Sequence, residues 1–277
     1  MKKSILTTTA AGLTGILLIS ALSGCGSGTE TADSEDGVQT IIVGTGTAYE
    51  PYCYLDENGN LAGYEYEVLS AVDELLPQYK FECQTSEFKN ILVALDAGQI
   101  DIAAHQYETN PERTAKYLFG EESYTTFVTY PVVLTSNTEI KTLDDLQGKT
   151  VLLSTGDNAN FYVDEYNAEH TDNPILTEIL DSPNYEVVAE GLKNGRWDAT
   201  FRTKRDVDTI NREYGNGEDF IKTLDTPLQT SSTYWVYAKD NTELQQTIDA
   251  ALRELKESGR LAEISIEVLG GDYTESE

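Results

Sequence analysis

Two distant stretches repeat one pattern, and that repeat constrains the fold more than any other feature. Leu95-Asp-Ala-Gly-Gln-Ile-Asp-Ile-Ala and Leu192-Lys-Asn-Gly-Arg-Trp-Asp-Ala-Thr each read as a helix end, a glycine, then an Asp at the start of a strand. Glycine just past a helix takes the left-handed backbone that stops it. Before the first copy come a strand at Thr40–Thr45, a helix marked by Val68, Leu69, Val72, Leu75 and Leu76 and stopped by Pro77, a strand at Lys80–Gln84, and a helix marked by Ile91, Leu92 and Leu95. A new strand starts at Ile100. Around the second copy lie a strand at Thr150–Ser154, a helix with Phe161, Val163 and Tyr166, a strand at Ala199–Phe201 and a helix from Lys204 to Tyr214. Alternating strands and helices predict parallel α/β sheets, and the duplication predicts two lobes of similar construction. The β-rich run Phe127–Thr135 leads from one to the other. A strand at Thr233–Tyr237 and helices at Leu244–Leu255 and Leu261–Val268 complete the chain. Its 277 residues suffice for two modest domains.

The amino terminus reads as a processing signal. Met1-Lys-Lys is positive, Ile5 to Leu22 is apolar, and Leu22-Ser-Gly-Cys25 has the form of a bacterial lipoprotein signal; an ordinary secretory peptide or an anchor helix are the alternatives. On the lipoprotein reading, residues 1–24 are a signal peptide and lipidated Cys25 holds the protein outside the cytoplasmic membrane. Residues 25–37 would form a flexible tether, because no apolar side chain anchors them. The formal charge is −29, and losing Lys2 and Lys3 makes the exported chain more negative still. Without basic clusters, nucleic acid is excluded as a partner. Cys53 and Cys83 lie in a compartment that permits a disulfide, but sequence supplies no geometry for one. No His or Cys stands at metal spacing, so neither a metal nor any other cofactor is expected.

Ile100-Asp-Ile-Ala-Ala reads as a buried strand, followed by a polar bend from His105 to Asn110. Pro111 at the first helical position then opens a short helix that carries Arg113. An Arg just beyond a strand's carboxyl end stands where α/β proteins place ligand contacts, and its planar fork can grip a carboxylate bidentately. The competing reading is a surface Arg paired with Glu108, Glu112 or Glu121.

From Val38 to Tyr273 the chain resembles the solute-binding proteins of polar-amino-acid ABC importers. The resemblance rests on Val43-Gly-Thr with Tyr49 and Pro51, Gly59-Asn-Leu-Ala-Gly-Tyr-Glu-Tyr-Glu-Val, Ala94-Leu-Asp-Ala-Gly-Gln-Ile-Asp, Asn110-Pro-Glu-Arg, Leu146-Gln-Gly-Lys, Gly195-Arg-Trp-Asp-Ala and Leu255-Lys-Glu-Ser-Gly. Each is weak alone; their order and spacing are specific. The His105–Arg113 run looks most like the cystine and sulfur-amino-acid branch. The resemblance implies an α/β, two-lobed periplasmic-binding-protein-like II fold with a Venus-flytrap cleft. Lobe 1 would be 38–127 with 232–277, and lobe 2 would be 128–231, with hinges near Val128–Pro131 and Leu228–Ser231. Ligand would favour the closed form.

The same resemblance assigns roles. Arg113 matches the arginine that holds the ligand α-carboxylate. Gln106 and Glu108 lie where the family offers main-chain groups to the ligand head. Tyr49 and Phe88 match two aromatic positions that sandwich a ligand side chain, with Tyr52 as a third wall. The N–H groups of Asp157 and Asn158, at a helix start, would bind the other carboxylate oxygen. Two positions depart from the pattern. Thr203 stands where the family often has an Asp for the ligand α-ammonium, and Gly46 replaces the acid of basic-amino-acid binders. Glu108 is therefore expected to supply the missing negative charge, and Arg202 or Lys204 to meet a second ligand carboxylate. The expected ligand is cystine or another polar or sulfur-containing amino acid, the expected partners are ABC permease subunits, and the expected state is a monomer. An enzyme on the same fold, such as a cyclohexadienyl dehydratase, is the alternative. No grouping of nucleophile, His and acid supports it, and no catalytic residue is assigned.

Overall fold

The structure, a computed structural model, describes residues 37–274. The signal peptide, Cys25 and all of the tether before Gly37 lie outside the described residues.

The chain begins with β1 (Gln39–Thr45), then β2 (Ala48–Tyr49), β3 (Cys53–Leu55) and β4 (Leu61–Ala62), which form a small antiparallel sheet of their own. Helix α1 (Tyr64–Leu75), β5 (Tyr79–Thr85), α2 (Phe88–Asp96), β6 (Ile102–Glu108), α3 (Pro111–Lys116) and β7 (Leu118–Phe119) follow. The long strand β8 (Thr125–Leu134) leads into β9 (Thr150–Ser154), α4 (Asn158–Glu169), β10 (Leu176–Leu180), α5 (Tyr185–Lys193), β11 (Ala199–Arg202), α6 (Lys204–Tyr214) and β12 (Ile221–Thr223). A second long strand, β13 (Gln229–Tyr237), returns to α7 (Thr242–Glu257) and α8 (Arg260–Leu269). Among the described residues no helix is long and apolar enough to cross a membrane.

The large sheet runs β10-β9-β11-β8-β13-β6-β1-β5, with β12 on β8 and β7 on β13. Its flanks are parallel: β1 with β5 and β6, and β9 with β10 and β11. Its centre is antiparallel, where β8 pairs with β13 from Thr125↔Thr233 to Thr129↔Gln229. Beyond that register β8 pairs with β11 and β12, and β13 pairs with β6, so the two long strands carry the chain between the halves.

The repeated Asp has one job in both halves. Asp101 accepts the Ile42 N–H on its Oδ2 and donates its own N–H to the Ile42 carbonyl, both at 2.8 Å. Asp198 does the same to Thr150, again at 2.8 Å in each direction. Each Asp therefore fixes the incoming chain against the first strand of its half. The glycines before them, Gly98 and Gly195, have φ of 65° and 73°, which a side chain would strain.

Each half buries its own apolar residues. In the first, Val68, Val72, Trp235, Ile248 and Leu261 pack under α1, α7 and α8, while Ile91, Leu95 and Tyr107 pack under α2. In the second, Val151, Val163 and Phe201 form one core and Val188, Trp197 and Ile210 another.

Two expectations change. The polar stretch from His105 is no bend: β6 continues to Glu108 and is buried throughout. Pairing of Tyr107 and Glu108 with Tyr234 and Thr233 satisfies backbone groups that a polar loop would have given to water. The strands β2, β4, β7, β10 and β12 are not expected from the sequence, which reads Gly44–Tyr49 as a loop; they are too short or too exposed to show an apolar rhythm. Cys53 and Cys83 are both free thiols.

Candidate functional site

A cavity of about 470 Å³ opens between the two halves, within the size range of small-molecule sites. Arg113 stands in its wall, only 9 % exposed. Asn110 caps α3 by accepting the Arg113 N–H at 2.7 Å, and Pro111 opens the helix, so the local sequence orients the guanidinium. Arg113 Nη1 donates to the Glu108 carbonyl at 2.8 Å, and Nη2 donates across the cleft to the Gly156 carbonyl at 2.7 Å. Its guanidinium also lies 5.5 Å from the centre of the Tyr107 ring. Among the described residues it forms no ion pair, so the surface-pair reading fails.

Opposite Arg113 is the start of α4. Asp157 caps it by accepting the Ala159 N–H at 3.3 Å, and the Asp157 N–H donates to the Ser154 carbonyl at 3.1 Å. That N–H is already used, which corrects the expectation that it waits for a ligand. The N–H of Asn158, the first helical residue, has no carbonyl within the helix to reach. The Asn158 side-chain nitrogen is also buried without a partner, while its oxygen accepts from Asn110 across the cleft at 2.8 Å. Arg113 and Asn158 thus present donors to one corner of the cavity, as an anion requires.

Glu108 sits in the same corner, buried, with its carboxylate accepting from the Ser231 hydroxyl. Burial, reinforced by the nearby Asp157 charge, raises its pKa to about 7 against the pull of Ser231 and Arg113. Gln106 lines the cavity with φ of 53°, but its N–H and side-chain amide both donate to Glu65, at 2.7 and 3.0 Å. Those donors are therefore taken. Sequence reading gave Glu65 no role; it is a buried carboxylate that also accepts from the Tyr124 hydroxyl at 2.6 Å and the Trp235 indole at 3.3 Å.

The aromatic wall is built around a residue that sequence reading passed over. The His105 ring stacks on Tyr49 at 5.7 Å and meets Phe88 at 4.9 Å, so the histidine links the two expected aromatics. Burial lowers its pKa to about 4, which keeps it neutral. Gly46 makes room for it: a Cβ there would lie 2.4 Å from His105 Nε2. The glycine that departs from the basic-ligand pattern is also the space the histidine fills.

Two expected residues lie elsewhere. Tyr52 is fully buried behind the wall, and its hydroxyl accepts from Arg205 Nε at 3.1 Å. Lys204 is exposed, its ammonium 4.9 Å from the Tyr130 ring, because the first position of α6 points away from the cavity. Thr203, the N-cap, and Asp206, one turn later, face inward, and Arg202 lines the same wall. Among the described residues no group of His, Cys, Asp and Glu is arranged to hold a metal ion.

Comparison with known proteins agrees with this architecture. The L-cystine-binding protein TcyK of Bacillus subtilis (strain 168) is 37 % identical over 262 residues, covering 94 % of this chain and 95 % of its own. The L-cystine-binding protein TcyJ of the same organism is 35 % identical over 265 residues, covering 96 % and 97 %. Among solved structures, a putative L-cystine ABC transporter protein from Listeria monocytogenes superposes with a TM-score of 0.77 at 38 % identity, over 86 % of this chain and 99 % of that one. Residues 41–270 match the family of bacterial extracellular solute-binding proteins, family 3, and the chain belongs to it.

Proposed function

We propose that this protein is the substrate-binding component of an ABC amino-acid importer and that its ligand is L-cystine, the amino acid named for the relatives TcyK and TcyJ. The observation that carries the reading is the donor corner of the cleft. Arg113 and the start of α4 come from opposite walls and converge where an α-carboxylate would bridge them. The aromatic wall of Tyr49, His105 and Phe88 suits a ligand body that carries a disulfide, because sulfur packs favourably against ring edges. Arg202 would meet the second carboxylate.

On this reading lobe 1 is 38–127 with 232–277, lobe 2 is 128–231, and the hinges lie near Val128–Pro131 within β8 and Leu228–Ser231 at the start of β13. Closure on the ligand presents a face to permease subunits. The protein is exported, acts as a monomer, and is held at the membrane by lipidated Cys25.

A thermal-shift panel of amino acids that includes L-cystine tests the proposal, since a ligand of the folded state raises stability by mass action. L-cystine is expected to give the largest shift. A panel in which no amino acid moves the transition would refute the reading.

A further inference from the structure

We propose that Asp206 is the acceptor of a ligand ammonium group in this chain, doing from one helical turn further on what Thr203 cannot do. The inference rests on the amino-acid-binding reading above.

Asp206 lines the cavity and is only 2 % exposed. Its Oδ2 accepts from the Thr203 N–H at 2.9 Å and the Thr203 hydroxyl at 2.8 Å, which completes a capping box for α6. Capping accounts for that oxygen alone. Its Oδ1 accepts from the Tyr185 hydroxyl at 2.7 Å, and the same hydroxyl lies 3.2 Å from the Glu50 carbonyl on the other wall. An ionised carboxylate offers about four acceptor positions, so one remains on Oδ1. Its three donors are neutral, and among the described residues no cation lies within ion-pairing distance. A buried carboxylate without a positive partner is costly, and a ligand ammonium in the cavity supplies that partner.

Glu108 is the rival acceptor and is worse placed. It shares a corner with Arg113 and Asn158, where the ligand carboxylate must go, and a second negative charge there would oppose it. Asp206 instead faces the Tyr49–Glu50 segment. Burial first, and the Asp206 charge next, hold the Tyr49 hydroxyl well above its usual range, consistent with the two standing close together.

Calorimetric titration of wild type, Asp206→Asn and Glu108→Gln with L-cystine and with 3,3′-dithiodipropionate, which lacks both ammonium groups, tests this. Asparagine retains an acceptor for the helix cap but loses the charge. Asp206→Asn should weaken L-cystine binding roughly 10- to 150-fold, the range of one charge-assisted hydrogen bond, and leave dithiodipropionate binding within about threefold of wild type. Glu108→Gln should not reproduce that selective loss. Equal affinity of wild type for the two compounds overturns the inference without any variant. So does unchanged L-cystine binding by Asp206→Asn, or the selective loss appearing in Glu108→Gln; both leave the parent reading standing. Failure of wild type to bind either compound overturns both.

Discussion

Arg113 on one wall of the cleft donates through Nη2 to the main-chain carbonyl of Gly156 on the other, at 2.7 Å. The residue expected to grip the ligand therefore also ties the walls together at the turn before α4. A ligand carboxylate entering that corner completes a bridge already begun.

Replacing Arg113 by Ala should lower L-cystine affinity by about 1.5–3 kcal/mol, the worth of a charged hydrogen bond. Arg113→Lys should recover little, because an ammonium cannot span Glu108 and Gly156 as the planar fork does. Calorimetry of the two variants beside wild type checks both statements. Near-wild-type binding by Arg113→Ala would remove it from the site.

Glu108 makes stability depend on pH. Its folded pKa, about 7, lies above an ordinary value of 4.5, so the folded protein holds a proton there that the unfolded chain releases. Stability is highest below about 4.5 with respect to this group, falls as pH rises through that window, and levels above 7; the span is on the order of 3 kcal/mol. Glu108→Gln removes the titration. Its advantage in melting temperature over wild type, measured without ligand, should grow between pH 4.5 and 7 and then stay constant. A constant difference across that window would show that Glu108 does not titrate there.

Arg205 joins the halves away from the cavity. Its guanidinium bonds to the Tyr52 hydroxyl and lies 4.1 Å from the centre of the Tyr273 ring. Tyr52 and Tyr273 belong to the half built on β1, whereas Arg205 is on α6. Losing this contact should favour the open form, and apparent affinity follows the closed fraction. Arg205→Ala is expected to weaken L-cystine binding up to roughly fivefold, from about 1 kcal/mol of cation–π and hydrogen-bond energy. Small-angle scattering should register a larger ligand-free radius of gyration. An unchanged radius together with unchanged affinity would contradict it.

Gly191 tests the second half alone. A Cβ there would lie 1.9 Å from the ring of buried Trp197. Gly191→Ala should therefore overpack that core, destabilising the protein by about 1–3 kcal/mol. In a thermal melt the midpoint should fall by several degrees; an unchanged midpoint would mean that the tryptophan shifts freely.

Local signals in the sequence determined the strand–helix alternation, the duplicated Gly-to-Asp passage, and the Asn110-Pro111 start that aims Arg113. These depend on periodicity, caps and turns, which neighbouring residues set together. Tyr49, Phe88 and Asn158 line the cavity because strand ends and helix starts carry them there.

Only the tertiary structure decided which polar groups face one another. Glu65 reaches Gln106, Tyr124 and Trp235 from distant elements, and Ser231 meets Glu108 only because β13 pairs with β6. Lys204 and Asp206 share a helix, yet one lies over Tyr130 outside the cavity while the other is buried in its wall. Which side of α6 faces the cleft depends on how the helix packs through Val207 and Ile210. His105 followed the same logic, since Gly46, just past the end of β1, leaves the space that its ring occupies. Burial then chose the charge states, raising Glu108 and lowering His105, because removing water disfavours the charged form of either group.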